Sequence, residues 1–243
     1  DARKANKGRI PHYTYGLLLR QSALDAWPKS EDITPFANKS FQRPVLIIGA
    51  GPAGLFCALK LAQQGVKSIV FERGAPASKR MGHIARHWRY GELNPESNVC
   101  FGEGGAGLYS DGKLITRIKS PFIPYVMHRL VKFGAPEEIQ YLSNPHVGSD
   151  RIRRVIPKMR EYLTSNGCDI HYDAKVEEVL SENAKTVGVK LANGQIFNGD
   201  HVILATGHSA NDMFEHLHEK GVDLESKSFA VGLRIEHPQS EVN

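Results

Sequence analysis

The 243-residue chain is 41% hydrophobic, which is enough to build one large domain, or one domain and part of another, around a real core. Its 31 basic and 26 acidic residues leave a formal charge of +5, a mild balance that suits anionic small molecules and lacks the concentrated stripe of a nucleic-acid binder. The three cysteines, Cys57, Cys100 and Cys168, are far apart with no CxxC pair, which argues against a disulfide scaffold and a thiolate metal site, and no run reaches the roughly 18 apolar residues of a membrane helix.

The first residues, Asp1-Ala2-Arg3-Lys4, hold neither an initiator Met nor an apolar signal core, so the chain is expected to begin inside a longer gene product. Residues 1–40 read as the end of an N-terminal region plus a linker, with a strand over 10–19; Pro28, Pro35 and Pro44 stand among polar residues in the linker stretch 25–44. Val45-Leu46-Ile47-Ile48 is a short apolar run, as expected of a strand buried on both faces of a parallel sheet. A helix over 53–64 stops at Gly65, and 68–71 form the second strand of a βαβ unit. Residues 74–120 read as irregular, which in a compact domain points to a functional loop.

Helices follow over 123–133 and 150–163, the second with Pro157 inside it, which predicts a kink or break. Residues 169–172 read as a strand, and 176–180, 186–191 and 195–197 as a small antiparallel unit with Ala192-Asn193-Gly194 as a turn. A strand over 201–205 ends in Thr206-Gly207, a helix covers 211–220, and 229–235 start another strand. The fold class is α/β.

Gly49-Ala50-Gly51-Pro52-Ala53-Gly54 lies between the buried strand and the helix, the context in which GxGxxG carries weight. Gly49 permits the tight turn, Gly51 lets the backbone reach a pyrophosphate, and Gly54 lets helix and sheet pack closely. The pyrophosphate would rest on the free N–H groups of the helix start, where Pro52 loses nothing by lacking a donor. Glu72 ends the second strand in the place of a carboxylate that accepts ribose hydroxyls and disfavours a 2′-phosphate. Arg73 is placed over an adenine or near a phosphate. Gly102, Gly104, Gly105 and Gly107 give a backbone able to wrap an anion or pass against a flat ring, with Glu103, Ser110, Asp111 and Lys113 as polar candidates nearby. Lys113 could neutralise phosphate or reduced-flavin charge. Arg80, Arg86 and Arg89 are candidates for phosphate contact. His83 and His87 have the spacing of a metal pair but no third ligand follows, so no metal is expected.

Glu72-Arg73-Gly74 and the segment Val202-Ile203-Leu204-Ala205-Thr206-Gly207 resemble the second-strand end and the returning "ATG" strand of the FAD-dependent superfamily that includes glutathione reductase. That resemblance favours FAD over NAD. It implies a Rossmann-like FAD-binding domain with a small antiparallel excursion, Val176 offering its backbone to the adenine, and Thr206 and Gly207 beside the cofactor. Longer motifs add to it, among them Asn94 to Thr116, Gly134-Ala135-Pro136-Glu137, Pro145-His146-Val147-Gly148-Ser149-Asp150, Gly207-His208-Ser209-Ala210 and Phe229 to Gln239. With these the chain resembles a family of FAD-dependent dehydrogenases of bacteria and plant plastids. The family usually has Arg at the place of Asn211.

The resemblance implies an FAD-binding domain over 41–228, incomplete because its C-terminal return segment is missing, and the start of a second domain at 229–243. It implies an FAD-dependent dehydrogenase or reductase with an unidentified small-molecule substrate or redox partner and a cytoplasmic or plastid-stromal location; it does not imply the electron donor, for which NADH and NADPH are the candidates. His208, just after the returning strand, and His237, at the domain junction, are the candidate proton donors near a flavin. A flavin-dependent RNA-modifying enzyme and a noncatalytic flavin-binding protein are the alternatives.

Overall fold

The computed structural model describes residues 41–243 except 110, 111, 115–117, 119, 143, 144, 184, 200, 229, 230, 234 and 243. The strand expected over 10–19 and the candidates Ser110 and Asp111 therefore lie outside the described residues.

Strand β1 is Val45–Ile48, helix α1 is Pro52–Gln63 and β2 is Ser68–Phe71. Helix α2 is Ala77–Tyr90, α3 is Ile123–Lys132 and α4 is Ser149–Ser165. The strands β3 (Cys168–His171), β4 (Val176–Glu182), β5 (Lys185–Leu191), β6 (Ile196–Asn198) and β7 (Val202–Leu204) follow, then α5 (Asn211–Glu219) and the short α6 (Gln239–Val242). The order β3-β2-β1-β7 forms a parallel sheet, and β4-β5-β6 form a separate antiparallel one.

The apolar run in β1 has a simple cause. Val45 and Ile47 face a cluster with Leu55 and Leu59 of α1, Leu130 of α3 and Met159 of α4. Leu46 and Ile48 face the opposite cluster, with Val176, Val189, Leu191 and Met213. The parallel sheet is thus the middle of three layers, and each β1 side chain is at most 5% exposed. Full burial of such a side chain stabilises by about 1.5–3 kcal/mol, so β1 is apolar on both faces. Phe71 fills the second interface, 4.8 Å from the Phe197 ring and 5.5 Å from His171.

Three expectations are corrected. Residues 77–90 form a helix, inside the stretch read as irregular. Its sequence is polar because it buries only Arg80 and Ile84, and its boundary signals are Pro76 before it and the left-handed Gly91 after it. Helix α4 runs unbroken through Pro157. Buried Val155 and Ile156 on one side of the proline and Met159 and Leu163 on the other hold the helix in place against the cost of about 3 kcal/mol for a lost bond. No strand forms among the described residues of 229–235, where Val231, Leu233 and Ile235 are exposed at 81%, 93% and 73%. A strand needs a hydrogen-bonded neighbour, and no strand of either sheet pairs there.

Candidate functional site

A cavity of ≈ 670 Å³ opens at the carboxyl ends of β1, β2 and β7. Ligands of open α/β sheets collect in this place. Its floor is Gly49, Gly51, Pro52 and Ala53 from the first turn, and one wall is Leu204 to Ser209.

The glycines of the turn divide into two kinds. At Gly49, φ is +107° and a Cβ would meet the Ala205 carbonyl oxygen at 2.4 Å, so the fold itself requires glycine. At Gly54 a Cβ would lie 1.9 Å from the Gly49 oxygen, and this residue does not line the cavity. Gly51 is different. Its φ of −74° suits any residue, and a Cβ would meet nothing nearer than the Gly105 Cα at 3.7 Å. The chain leaves free the space that a Cβ at Gly51 would occupy, and that space is in the cavity, at the start of α1. There the first-turn N–H groups have no partner inside the helix and carry partial positive charge.

Glu72 lines the cavity and is 4% exposed. Its Oε2 accepts from the Ala50 N–H at 2.8 Å, and its Oε1 accepts from Gly74 and Gly102 N–H groups at 2.9 Å each. Three of roughly four acceptor positions are thereby filled from the backbone, and one remains. One carboxylate therefore ties together the nucleotide turn, the end of β2 and the glycine loop.

The glycine loop is organised by Arg80, which is fully buried. Its guanidinium donates to the carbonyls of Asn98, Val99, Glu103 and Gly105 at 2.7–3.0 Å, and to Gly102 at 3.3 Å. It also lies 4.8 Å from the Tyr109 ring centroid, on which Arg153 packs at 5.0 Å. Burial pulls the Arg80 guanidinium below its usual range, against the neighbouring Tyr109, Glu72, Cys100 and Glu103. Arg80 does not line the cavity, so the expected phosphate contact is replaced by a backbone clasp. Gly102 is glycine for the same reason, since a Cβ there would stand 2.5 Å from the Arg80 Cδ.

Glu103, fully buried, accepts from the Ala77 N–H at the start of α2, from Arg160 and from the Tyr172 hydroxyl at 2.7–2.9 Å. Burial, then the Glu103 charge, pushes the Tyr172 hydroxyl far up, so it stays a donor. These contacts fix the loop from behind, while Gly102, Gly105 and Gly107 face the cavity. Gly104 does not face it and packs towards Leu108 and Ile156.

The other end of the cavity is apolar, with Phe101, Ala174, Val176, Met213, Phe214 and Leu217. Arg73 closes it, 4.5 Å from the Phe101 ring centroid and paired with Asp212 and Glu96. Thr206, Gly207 and exposed His208 belong to the wall that follows β7, and His208 Nε2 is 3.4 Å from the Ser209 hydroxyl. Two candidates lie elsewhere. Lys113 forms an isolated bridge with His146, and His237 is an exposed residue 3.8 Å from Glu241; neither lines the cavity. His83 bonds Ser97 at 2.8 Å, and no metal-binding cluster occurs among the described residues. Sequence reasoning missed the wall of Met213, Phe214 and Leu217. Its signal was the apolar face of a short helix directly after the returning strand.

The family model for FAD dependent oxidoreductases matches residues 44–151, and that for flavin containing amine oxidoreductases matches 122–224. Over residues 44–224 the chain thus matches FAD-dependent oxidoreductase domains. The chain is 44% identical over 201 residues to an uncharacterized protein of Clostridium beijerinckii, covering 83% of this chain and 37% of that one. It is 27% identical over 172 residues to a tRNA uridine 5-carboxymethylaminomethyl modification enzyme of Caldicellulosiruptor saccharolyticus, covering 67% of this chain and 24% of the enzyme. The chain spans well under half the length of either relative. An L-amino acid deaminase structure from Proteus vulgaris shares the fold with a TM-score of 0.50 at 13% identity, over 76% of this chain and 51% of that one. The matched families are flavin-dependent, and the cofactor they indicate is FAD. No described helix is long and apolar enough to cross a membrane.

Proposed function

We propose that residues 41–228 hold FAD for a dehydrogenase or reductase that takes electrons from NADH or NADPH, and that 229–243 open a second domain. The observation that carries the reading is Gly51, whose missing side chain leaves room above a helix N-terminus that neither the backbone conformation nor a neighbouring atom demands. Gly49, Gly51, Pro52 and Ala53 receive the pyrophosphate on the α1 N–H groups, with Gly105 and Gly107 above. Glu72 takes one ribose hydroxyl with its remaining acceptor position, Val176 presents its backbone to the adenine, and the Phe101–Met213–Phe214 wall excludes water from it. Thr206 and Gly207 border the flavin half.

Bound FAD supplies the two-electron chemistry, and the protein orients it. His208 is placed to hold or deliver a proton at its imidazole beside that half, being on the cavity wall and exposed to solvent. The test is anaerobic mixing of the FAD-loaded protein with NADH or NADPH in a stopped-flow instrument. Bleaching of the flavin band by either donor supports the reading. An FAD-loaded protein reduced by neither removes the dehydrogenase assignment.

A further inference from the structure

Four charged side chains from four separate segments meet at the closed end of the cavity. Arg73 Nη2 lies 2.5 Å from Asp212 Oδ2, and Lys175 Nζ reaches the same oxygen at 2.9 Å. Lys175 Nζ also reaches Glu96 Oε1 at 3.2 Å, and Arg73 Nε lies 3.5 Å from Glu96 Oε2. Two cations and two carboxylates leave the group with no net charge. Arg73 is its member on the cavity wall, immediately after Glu72.

In dinucleotide sites of this architecture an acidic residue at the end of the second strand selects a free ribose, while a nearby arginine accommodates a 2′-phosphate. This chain has both residues side by side. Glu72 is largely occupied by backbone N–H groups. Arg73 lies on the cavity wall, but its guanidinium is spent on Asp212 and Glu96. An incoming phosphate would have to displace a carboxylate that both cations already hold.

We propose that Asp212, assisted by Glu96, sets the specificity of the adenosine end for an unphosphorylated ribose by neutralising Arg73 and Lys175. This rests on the nucleotide reading of the cavity. Asp212 is a positioning residue acting through Arg73. Without its charge, Arg73 and Lys175 face Glu96 alone, and the group gains one positive charge available to an anion on the ribose.

The test is calorimetric titration of the flavin-free full chain with ADP and with 2′-phospho-ADP, at one low ionic strength because screening weakens the effect. The wild type is expected to prefer ADP. Asp212→Asn should shift the affinity ratio towards 2′-phospho-ADP by roughly tenfold or more, the scale of a charged hydrogen bond. Glu96→Gln should shift it in the same direction, and Asp212→Glu should restore the wild-type ratio. ADP binding with the same ratio in wild type, Asp212→Asn and Glu96→Gln overturns this proposal and leaves the nucleotide reading standing. A correctly folded wild type that binds neither nucleotide overturns both.

Discussion

Replacement of Arg80 by methionine keeps the length of an apolar stem and removes the guanidinium. It leaves the carbonyls of Asn98, Val99, Gly102, Glu103 and Gly105 without their shared donor. A charged hydrogen bond contributes about 1.5–3 kcal/mol, but five bonds to one group do not add. Breaking a buried charged network typically costs about 3–5 kcal/mol. At about 2–4 °C per kcal/mol for a domain of this size, the thermal midpoint should fall by about 6–20 °C. Arg80→Lys should recover part of the loss, since an ammonium has three donors and cannot span the fork. The checks are scanning calorimetry and hydrogen exchange, with the loss of protection concentrated in residues 98–105. An unchanged midpoint together with unchanged exchange there would refute the clasp.

Gly51→Ala should keep the thermal stability within about 1 kcal/mol and weaken FAD binding, whereas Gly54→Ala should destabilise the fold because its Cβ would meet the Gly49 oxygen at 1.9 Å; equal stability losses measured by denaturant titration would contradict the distinction. Burial alone would raise the Asp212 carboxyl, but hydrogen bonds from Arg73 and Lys175 hold it below its usual range. Its contribution to stability is therefore present above the unfolded value near about 4 and is lost as pH falls through the lower folded value. The stability difference between wild type and Asp212→Asn should shrink on acidification in that window, and a difference that grows there counts against the ion-pair cluster. Cys100 is exposed on the cavity wall, while burial pushes the Cys57 and Cys168 thiols up. Iodoacetamide at neutral pH should modify Cys100 first, and added FAD should protect it; mass spectrometry showing Cys57 or Cys168 ahead of it would reverse the placement.

Much of the scaffold is legible in local pattern. The β1 run, the turn at Gly49–Gly54, the α1 stop at Gly65 and the antiparallel excursion all follow from spacing over a few residues. Helix α2 does not, because its inward face is Arg80 with the single apolar Ile84, too little for a hydrophobic period to reveal. The role of Arg80 was hidden for a related reason. Its partners are main-chain carbonyls 18–25 residues away, which have no signature in residue identity. Glu103 meets Arg160 and Tyr172 across 57 and 69 residues, and Arg73 meets Asp212 across 139. Such pairs are set by tertiary packing. The described residues of 229–235 show the reverse error, since an alternating apolar stretch reads as a strand whether or not a strand pairs with it.

The central claim is that the space beside Gly51 and Glu72 receives the adenosine diphosphate half of FAD. Its most direct test is equilibrium titration of the flavin-free protein with FAD, followed by flavin absorption and fluorescence, alongside Gly51→Val. Saturable FAD binding by the wild type, lost in a Gly51→Val protein that keeps its thermal midpoint, is the predicted result. FAD binding of equal affinity in both proteins would contradict it.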